Sequence, residues 1–216
     1  MTILADNISL HLSGFDLLRN VSLEVEAGKV TAIVGPNGAG KSSLLKVISG
    51  EMEPTKGSVS LNQQPLSYWS LEQKAQMMAV LPQHALLNFP FTADEVVALG
   101  RIPHQTGSVK DAQIVAEALQ LVDASYLQKR FYTQMSGGEK QRVQLARVLA
   151  QIWQPCELGE QFLMLDEPTS AFDLSHQKLT LDIVRNLAER GVGVVMVIHD
   201  LNLASRCADN LVGFNG

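Results

Sequence analysis

The chain has 216 residues, a formal net charge of -5, 46% hydrophobic residues and 18% charged ones. That length fits one large α/β domain or a domain with an inserted lobe, and the composition supports a packed core rather than global disorder. No long Lys/Arg tract offsets the acidity, which argues against nucleic acid as the main partner. Cys156 and Cys207 lack metal-ligand or redox spacing and read as two reduced, buried thiols. Thr2–Asp6 after Met1 carries no basic leader and no cleavage site. No apolar run approaches the roughly 18 residues of a membrane helix. The expectation is a soluble chain whose membrane role comes through a partner.

Ile3–Leu12 and Val21–Val25 alternate as strands, with turns at Gly14 and Ala27-Gly28, and Val30–Val34 is a continuous apolar run, a buried parallel strand. Directly after it, Gly35-Pro36-Asn37-Gly38-Ala39-Gly40-Lys41-Ser42 fits the phosphate-binding loop G-x-x-x-x-G-K-[ST]. Leu44, Leu45, Val47 and Ile48 follow at helical spacing. Strand, glycine-rich turn and helix start is the context this motif requires. Backbone N–H groups from Gly35 through Ser43 would curl around phosphate, aided by the helix dipole. Lys41 would reach the β- and γ-phosphates, and the Ser42 hydroxyl would ligate Mg²⁺.

The helix stops near Gly50, before Pro54; Gly57–Leu61 is a strand, Ser70 caps a helix through about Ala75, and Met78–Leu81 is a strand. From about residue 84 the character changes. Thr92-Ala93-Asp94-Glu95 is a capping box opening a helix that ends at Gly100, and residues 102–107 form a loop. Ser108 caps a helix with Ile114, Val115, Ala118, Leu119 and Val122 on one face, and a further helical piece lies near Ser125–Lys129. A long helix (about 138–151), a strand (162–166), a helix (175–189), a strand (193–198), a helix (201–207) and a strand near 210–214 complete the chain. Residues 1–83 and 153–216 are expected to form an α/β core, with 84–152 a helical lobe inserted in it.

Phe162-Leu163-Met164-Leu165-Asp166-Glu167 ends an apolar strand in two acids. In a parallel sheet both carboxylates then lie at the C-terminal edge, where ligands bind. Asp166 suits Mg²⁺, and Glu167 suits the base for an attacking water. A second anion-binding helix start, Ser136-Gly137-Gly138-Glu139, sits in Met135–Arg142. One nucleotide does not need two such sites from one chain, whereas two chains arranged head to tail do.

With Ser136–Glu139 in place, the sequence resembles the ATPase subunits of ATP-binding cassette transporters, whose signature reads L-S-G-G-Q; here Met135 and Glu139 depart from it. The resemblance spans essentially the whole chain. It implies a phosphate-loop NTPase core, a mixed and mainly parallel sheet with flanking helices, an N-terminal antiparallel β subdomain and a helical lobe. It implies ATP and Mg²⁺ as ligands. Gln83 matches the glutamine that contacts Mg²⁺ and water, Ser170-Ala171-Phe172-Asp173 the loop usually reading S-A-L-D, and His199 the histidine that contacts the γ-phosphate. His11, His84, His104 and His176 read as solvated loop or surface residues. The family's adenine-stacking aromatic is replaced by Leu12, with Phe15 or His11 as substitutes.

Leu87–Thr92 and Gly100–His104 resemble ATPases of iron–siderophore, vitamin B12 and heme importers. Gln141–Trp153, followed by the extended Gln154–Gln161 loop, is similar to the hemin-importer ATPases. The implied partners are a second copy of the chain, two integral-membrane permease subunits and, indirectly, a periplasmic substrate-binding protein. Lys41, Ser42, Gln83, Asp166, Glu167 and His199 of one chain would act with Ser136 and Gly138 of the other, at the cytoplasmic face of the membrane. A soluble cassette ATPase and a non-cassette phosphate-loop enzyme are the alternatives. The end at Asn215-Gly216, a hairpin turn with no returning strand, reads as a truncation that leaves Leu211–Phe214 a poorly paired edge.

Overall fold

Two apolar-alternating strands open the chain: β1 (Thr2–Leu12) and β2 (Phe15–Glu26), paired antiparallel. The computed structural model describes residues 2–12, 14–83 and 87–214; His84, Asn215 and Gly216 lie outside them. β2 begins six residues before the expected strand, because backbone pairing of Leu10, His11 and Leu12 with Leu18, Asp16 and Phe15 continues past the alternating pattern. Register shifts break the ladder beside Asn7 and Asn20, both at positive φ.

β3 (Val30–Val34) leads into α1 (Lys41–Ile48). β4 (Lys56–Leu61), β5 (Gln64–Pro65), α2 (Leu71–Met77) and β6 (Met78–Leu81) follow. The helical segment holds α3 (Ala93–Ala98), α4 (Ser108–Leu121) and α5 (Gly137–Gln151). β7 (Phe162–Asp166), α6 (Leu174–Glu189), β8 (Gly193–Val197), α7 (Leu201–Cys207) and β9 (Asn210–Gly213) close the chain.

The strands form two sheets. The antiparallel one runs β2-β1-β4-β5; the other runs β6-β7-β8-β3-β9 with every pair parallel. These are the expected mainly parallel sheet, here wholly parallel among the described residues, and the expected N-terminal antiparallel β subdomain. β9 is the edge strand beside β3, paired with it in register from Thr31↔Asn210 to Val34↔Gly213.

Alternation along the parallel strands divides the core. Val30, Ala32 and Val34 of β3, with Leu163, Leu165, Val194 and Met196, face α5, α6 and the helical segment. Ile33, Phe162, Met164, Val195 and Val197 face α1 and the antiparallel sheet. The helical segment shares the first cluster, through Val96, Val97, Ile114, Val115, Leu119, Val143 and Val148.

Buried Arg101 ties this segment together. Its guanidinium donates to Asp111 Oδ1 at 2.8 Å, the Ala150 carbonyl at 2.6 Å, Thr106 Oγ1 at 3.0 Å and Gln154 Oε1 at 3.1 Å. The Thr106 hydroxyl donates to the same Asp111 oxygen at 2.6 Å. This network anchors the start of α4, so Ser108 is its first residue and not its cap; Gly107, at φ 87°, holds the cap position. Two of the histidines read as solvated are not. His104 is half-buried, its Nε2 2.7 Å from the Gln151 carbonyl, and burial holds its imidazole below the ordinary value. His176 packs against Phe172 with Nε2 2.8 Å from Arg142 Nη1.

Candidate active site

Sheet order explains why distant motifs meet. β6, β7, β8 and β3 are successive neighbours and all run the same way. Their C-terminal ends therefore present Gln83, the Asp166-Glu167 pair, His199 and the glycine-rich loop side by side. A cavity of about 560 Å³ opens there, lined by Leu17, Asn37, Gly38, Gly40, Lys41, Ser42, Ser43, Gln83, Glu167 and His199. That volume lies in the range of small-molecule sites.

The loop geometry follows from Gly40. It caps α1 at φ 96°, with no side chain capping the helix start. A Cβ there would meet the Leu17 carbonyl oxygen at 2.4 Å, so glycine is required by both conformation and space. With no side chain bonded to them, the first-turn N–H groups of α1 remain available to an anion. Lys41 is buried and donates to the carbonyls of Gly35 at 2.9 Å and Pro36 at 2.7 Å. An ammonium has three donors, so one is left for a ligand while the other two fix its position.

Glu167 adopts φ 50°, a left-handed conformation that costs a non-glycine residue about 1–2 kcal/mol. Several bonds hold it there. Its N–H donates to the Val197 carbonyl at 3.1 Å, and its own carbonyl accepts from Ser170 N at 3.3 Å, Ser170 Oγ at 3.1 Å and Gln141 Nε2 at 3.2 Å. Its carboxylate Oε1 lies 2.5 Å from His199 Nε2. Both residues line the cavity, together with the loop.

Asp166 is buried, within reach of the Ser42 hydroxyl and the Lys41 charge, and its Oδ1 has no hydrogen-bond partner among the described residues. Burial pushes its carboxyl above the ordinary value, against the hydrogen bond from Ser42 and the charges of Lys41 and Lys46; Glu167 adds to the rise. An orphaned carboxylate oxygen beside a serine hydroxyl fits a hard divalent cation such as Mg²⁺.

The other predicted residues stand apart. Ser136 caps α5, accepting from Glu139 N at 3.4 Å, while Glu139 Oε2 accepts from Ser136 N at 2.7 Å. Those bonds hold the Glu139 carboxyl below its ordinary value. Ser136, Gly137, Gly138 and Glu139 do not line the Lys41 cavity. Gly137 lines a second one, of about 250 Å³, with Gln141, Ser170 and Ala171; Gln83 borders both.

The ABC transporter family pattern matches residues 18–170. The chain belongs to the ABC transporter family. It carries the family's ATPase cassette. The chain is 49% identical to the hemin import ATP-binding protein HmuV of Pseudomonas fluorescens Pf-5, over 98% of its own length and 82% of the relative's. It is 51% identical to the protein of the same name from Gloeobacter violaceus, over 96% of its own length and 76% of the relative's. Among solved structures, an ATP-binding subunit of an ABC transporter superposes with a TM-score of 0.87 at 24% identity, covering 100% of this chain and 86% of that one. A dimeric bacterial ABC transporter cassette gives 0.85 at 24% identity, covering 98% and 94%. These two likenesses establish the fold.

In this ABC cassette the residue of β2 that lines the cavity is Leu17, which sequence reasoning missed; Leu12, Phe15 and His11 do not line it. His11 Nδ1 is instead 2.7 Å from Asp16 Oδ1. An apolar residue in the weakly patterned Phe15–Asn20 arm carries no signal that would single out Leu17.

The strain on Asp166 yields a test. A carboxyl whose folded pKa is raised disfavours the fold above that pKa, and the disadvantage fades as pH falls through it towards the unfolded value. Asp166→Asn is expected to melt at or above the wild-type temperature at pH 7, with the gap closing on acidification. ATP turnover should fall in the same protein. Thermal melts at pH 7 and pH 4 check the first part; a lower melting temperature at pH 7 would show that the carboxylate stabilises the fold.

Proposed function

We propose that this chain is the ATP-hydrolysing subunit of a hemin import complex. The observation that carries the reading is the division of the motifs. Lys41, Ser42, Gln83, Glu167 and His199 border one cavity, whereas Ser136–Glu139 do not line it. The curated relatives at 49% and 51% identity, each named for hemin import, support the cargo. Ferric siderophore and vitamin B12 are the competing cargoes.

In this reading the phosphates of ATP lie on the first turn of α1, under the free donor of Lys41. Gly35–Ser43 supplies backbone N–H groups. Ser42, Asp166 and Gln83 would hold Mg²⁺, which would supply neutralisation of the phosphate charge. Glu167 accepts the proton of the attacking water, and His199, in contact with its carboxylate, orients it and reaches the γ-phosphate. Ser136, Gly137, Gly138 and Glu139 meet the γ-phosphate on a second copy, so two chains enclose two ATP molecules head to tail. Residues 84–152 form the lobe that moves with closure and engages two membrane-embedded permease subunits, fed by a periplasmic substrate-binding protein. Among the described residues no helix is long and apolar enough to cross a membrane. In this reading the chain sits at the cytoplasmic face, held by the permease. Binding energy of ATP thus biases a two-state assembly, and hydrolysis resets it.

Uptake by cells whose only copy is this chain tests the cargo. ATP-dependent accumulation of hemin, lost with Glu167→Gln, is the expected result. Accumulation of vitamin B12 or ferric siderophore in place of hemin would reassign it.

A further inference from the structure

We propose that Gln141 is a positioning residue for Glu167, tying the helix that carries Ser136–Glu139 to the base of the same chain's own site. The inference rests on the reading of Glu167 as the base and of Ser136–Gly138 as facing a second copy.

Gln141 lies four residues beyond Gly137, one helical turn along the same face of α5. Its Nε2 donates to the carbonyls of Glu167 at 3.2 Å and Pro168 at 2.9 Å. The two Ser170 bonds to the Glu167 carbonyl come from within the same turn. Gln141 reaches it from another element, 26 residues away in sequence. Gln177 of α6 does the same further along, donating to Thr169 at 3.4 Å and Phe172 at 3.3 Å. The 167–172 turn is therefore slung between two helices by glutamine amides.

The amide is not there for its own stability. The Gln141 Oε1 is buried and has no partner among the described residues, which is unfavourable in itself. An apolar side chain of the same length would remove that cost but would also release the turn. Glu167 sits at positive φ, so loss of an anchor on its carbonyl lets the peptide relax and swings the carboxylate. Displacement of α5 as its N-terminus closes on a second copy's phosphate would move the same anchor. Engagement of one site is thereby linked to the geometry of the base in the other.

ATPase activity of the permease-bound complex, measured against ATP concentration, tests this for wild type, Gln141→Met, Gln141→Lys and Glu167→Gln. Methionine keeps length without a donor; lysine restores one. For Gln141→Met, kcat should fall roughly 10- to 100-fold, as for a misplaced catalytic group, with KM for ATP and melting temperature unchanged. Its Hill coefficient should fall towards one. Gln141→Lys should recover most of kcat. Wild-type kcat in Gln141→Met, or equal loss in both Gln141 variants, would overturn the inference. Inactive Glu167→Gln beside a fully active Gln141→Met would remove the positioning role and leave the base assignment standing. Active Glu167→Gln would remove both.

Discussion

A Glu167→Gln chain is expected to bind ATP normally and to hydrolyse it about 10²–10⁴ times more slowly than wild type. The amide has the shape and polarity of the carboxylate but cannot accept the proton of the attacking water. The left-handed backbone at residue 167 is held by bonds to its N–H and carbonyl, which the substitution leaves intact. The His199 contact at 2.5 Å also survives, since imidazole can pair with an amide oxygen or nitrogen. Binding without turnover should accumulate an ATP-bound dimer. Single-turnover kinetics and sedimentation of the variant with ATP check both halves. Wild-type turnover, measured with the permease present, would place the base elsewhere.

Lys41→Ala should have the larger effect on binding. The lysine is buried, yet among the described residues its ammonium donates only to two loop carbonyls, which leaves a third donor. Truncation removes a cation fixed on the loop and leaves the Gly35 and Pro36 carbonyls without their donor. A hydrogen bond from a charged donor contributes about 1.5–3 kcal/mol, so ATP affinity should drop at least 10-fold. The fold should persist, because the α1 residues in the core are Leu44, Leu45, Val47 and Ile48. Titration with a fluorescent nucleotide and a thermal melt measure the two quantities. Unchanged affinity in a natively folded protein would remove Lys41 from the site.

Features written in consecutive residues were legible before the structure. The Val30–Val34 run followed by the glycine-rich loop fixes a strand, a turn and a helix start locally. The acidic pair at the end of Phe162–Asp166 is equally local. What the sequence left hidden depends on partners far along the chain. The arm Phe15–Asn20 has a weak apolar pattern and is a strand because β1 pairs with it. Ser108 looks like a helix cap, but buried Arg101 and Asp111 set the boundary one residue earlier. His104 and His176 have no sequence context that reveals their packing against Gln151 and Arg142. Gln141 reads as one more polar residue in a helix until the fold brings the 167–168 turn beneath it.

Mixing two damaged chains tests the shared site most directly. A Ser136→Arg chain places bulk and charge at the start of α5, while a Lys41→Ala chain loses phosphate binding; neither should hydrolyse ATP as a homodimer. In a head-to-tail pair of one with the other, one site carries both lesions and the second carries neither. ATPase activity of the mixture above both parents, with ATP-dependent mixed dimers in sedimentation, is the result expected. If the mixture shows neither activity nor mixed dimers under conditions where wild type shows both, the sites are not built from two chains.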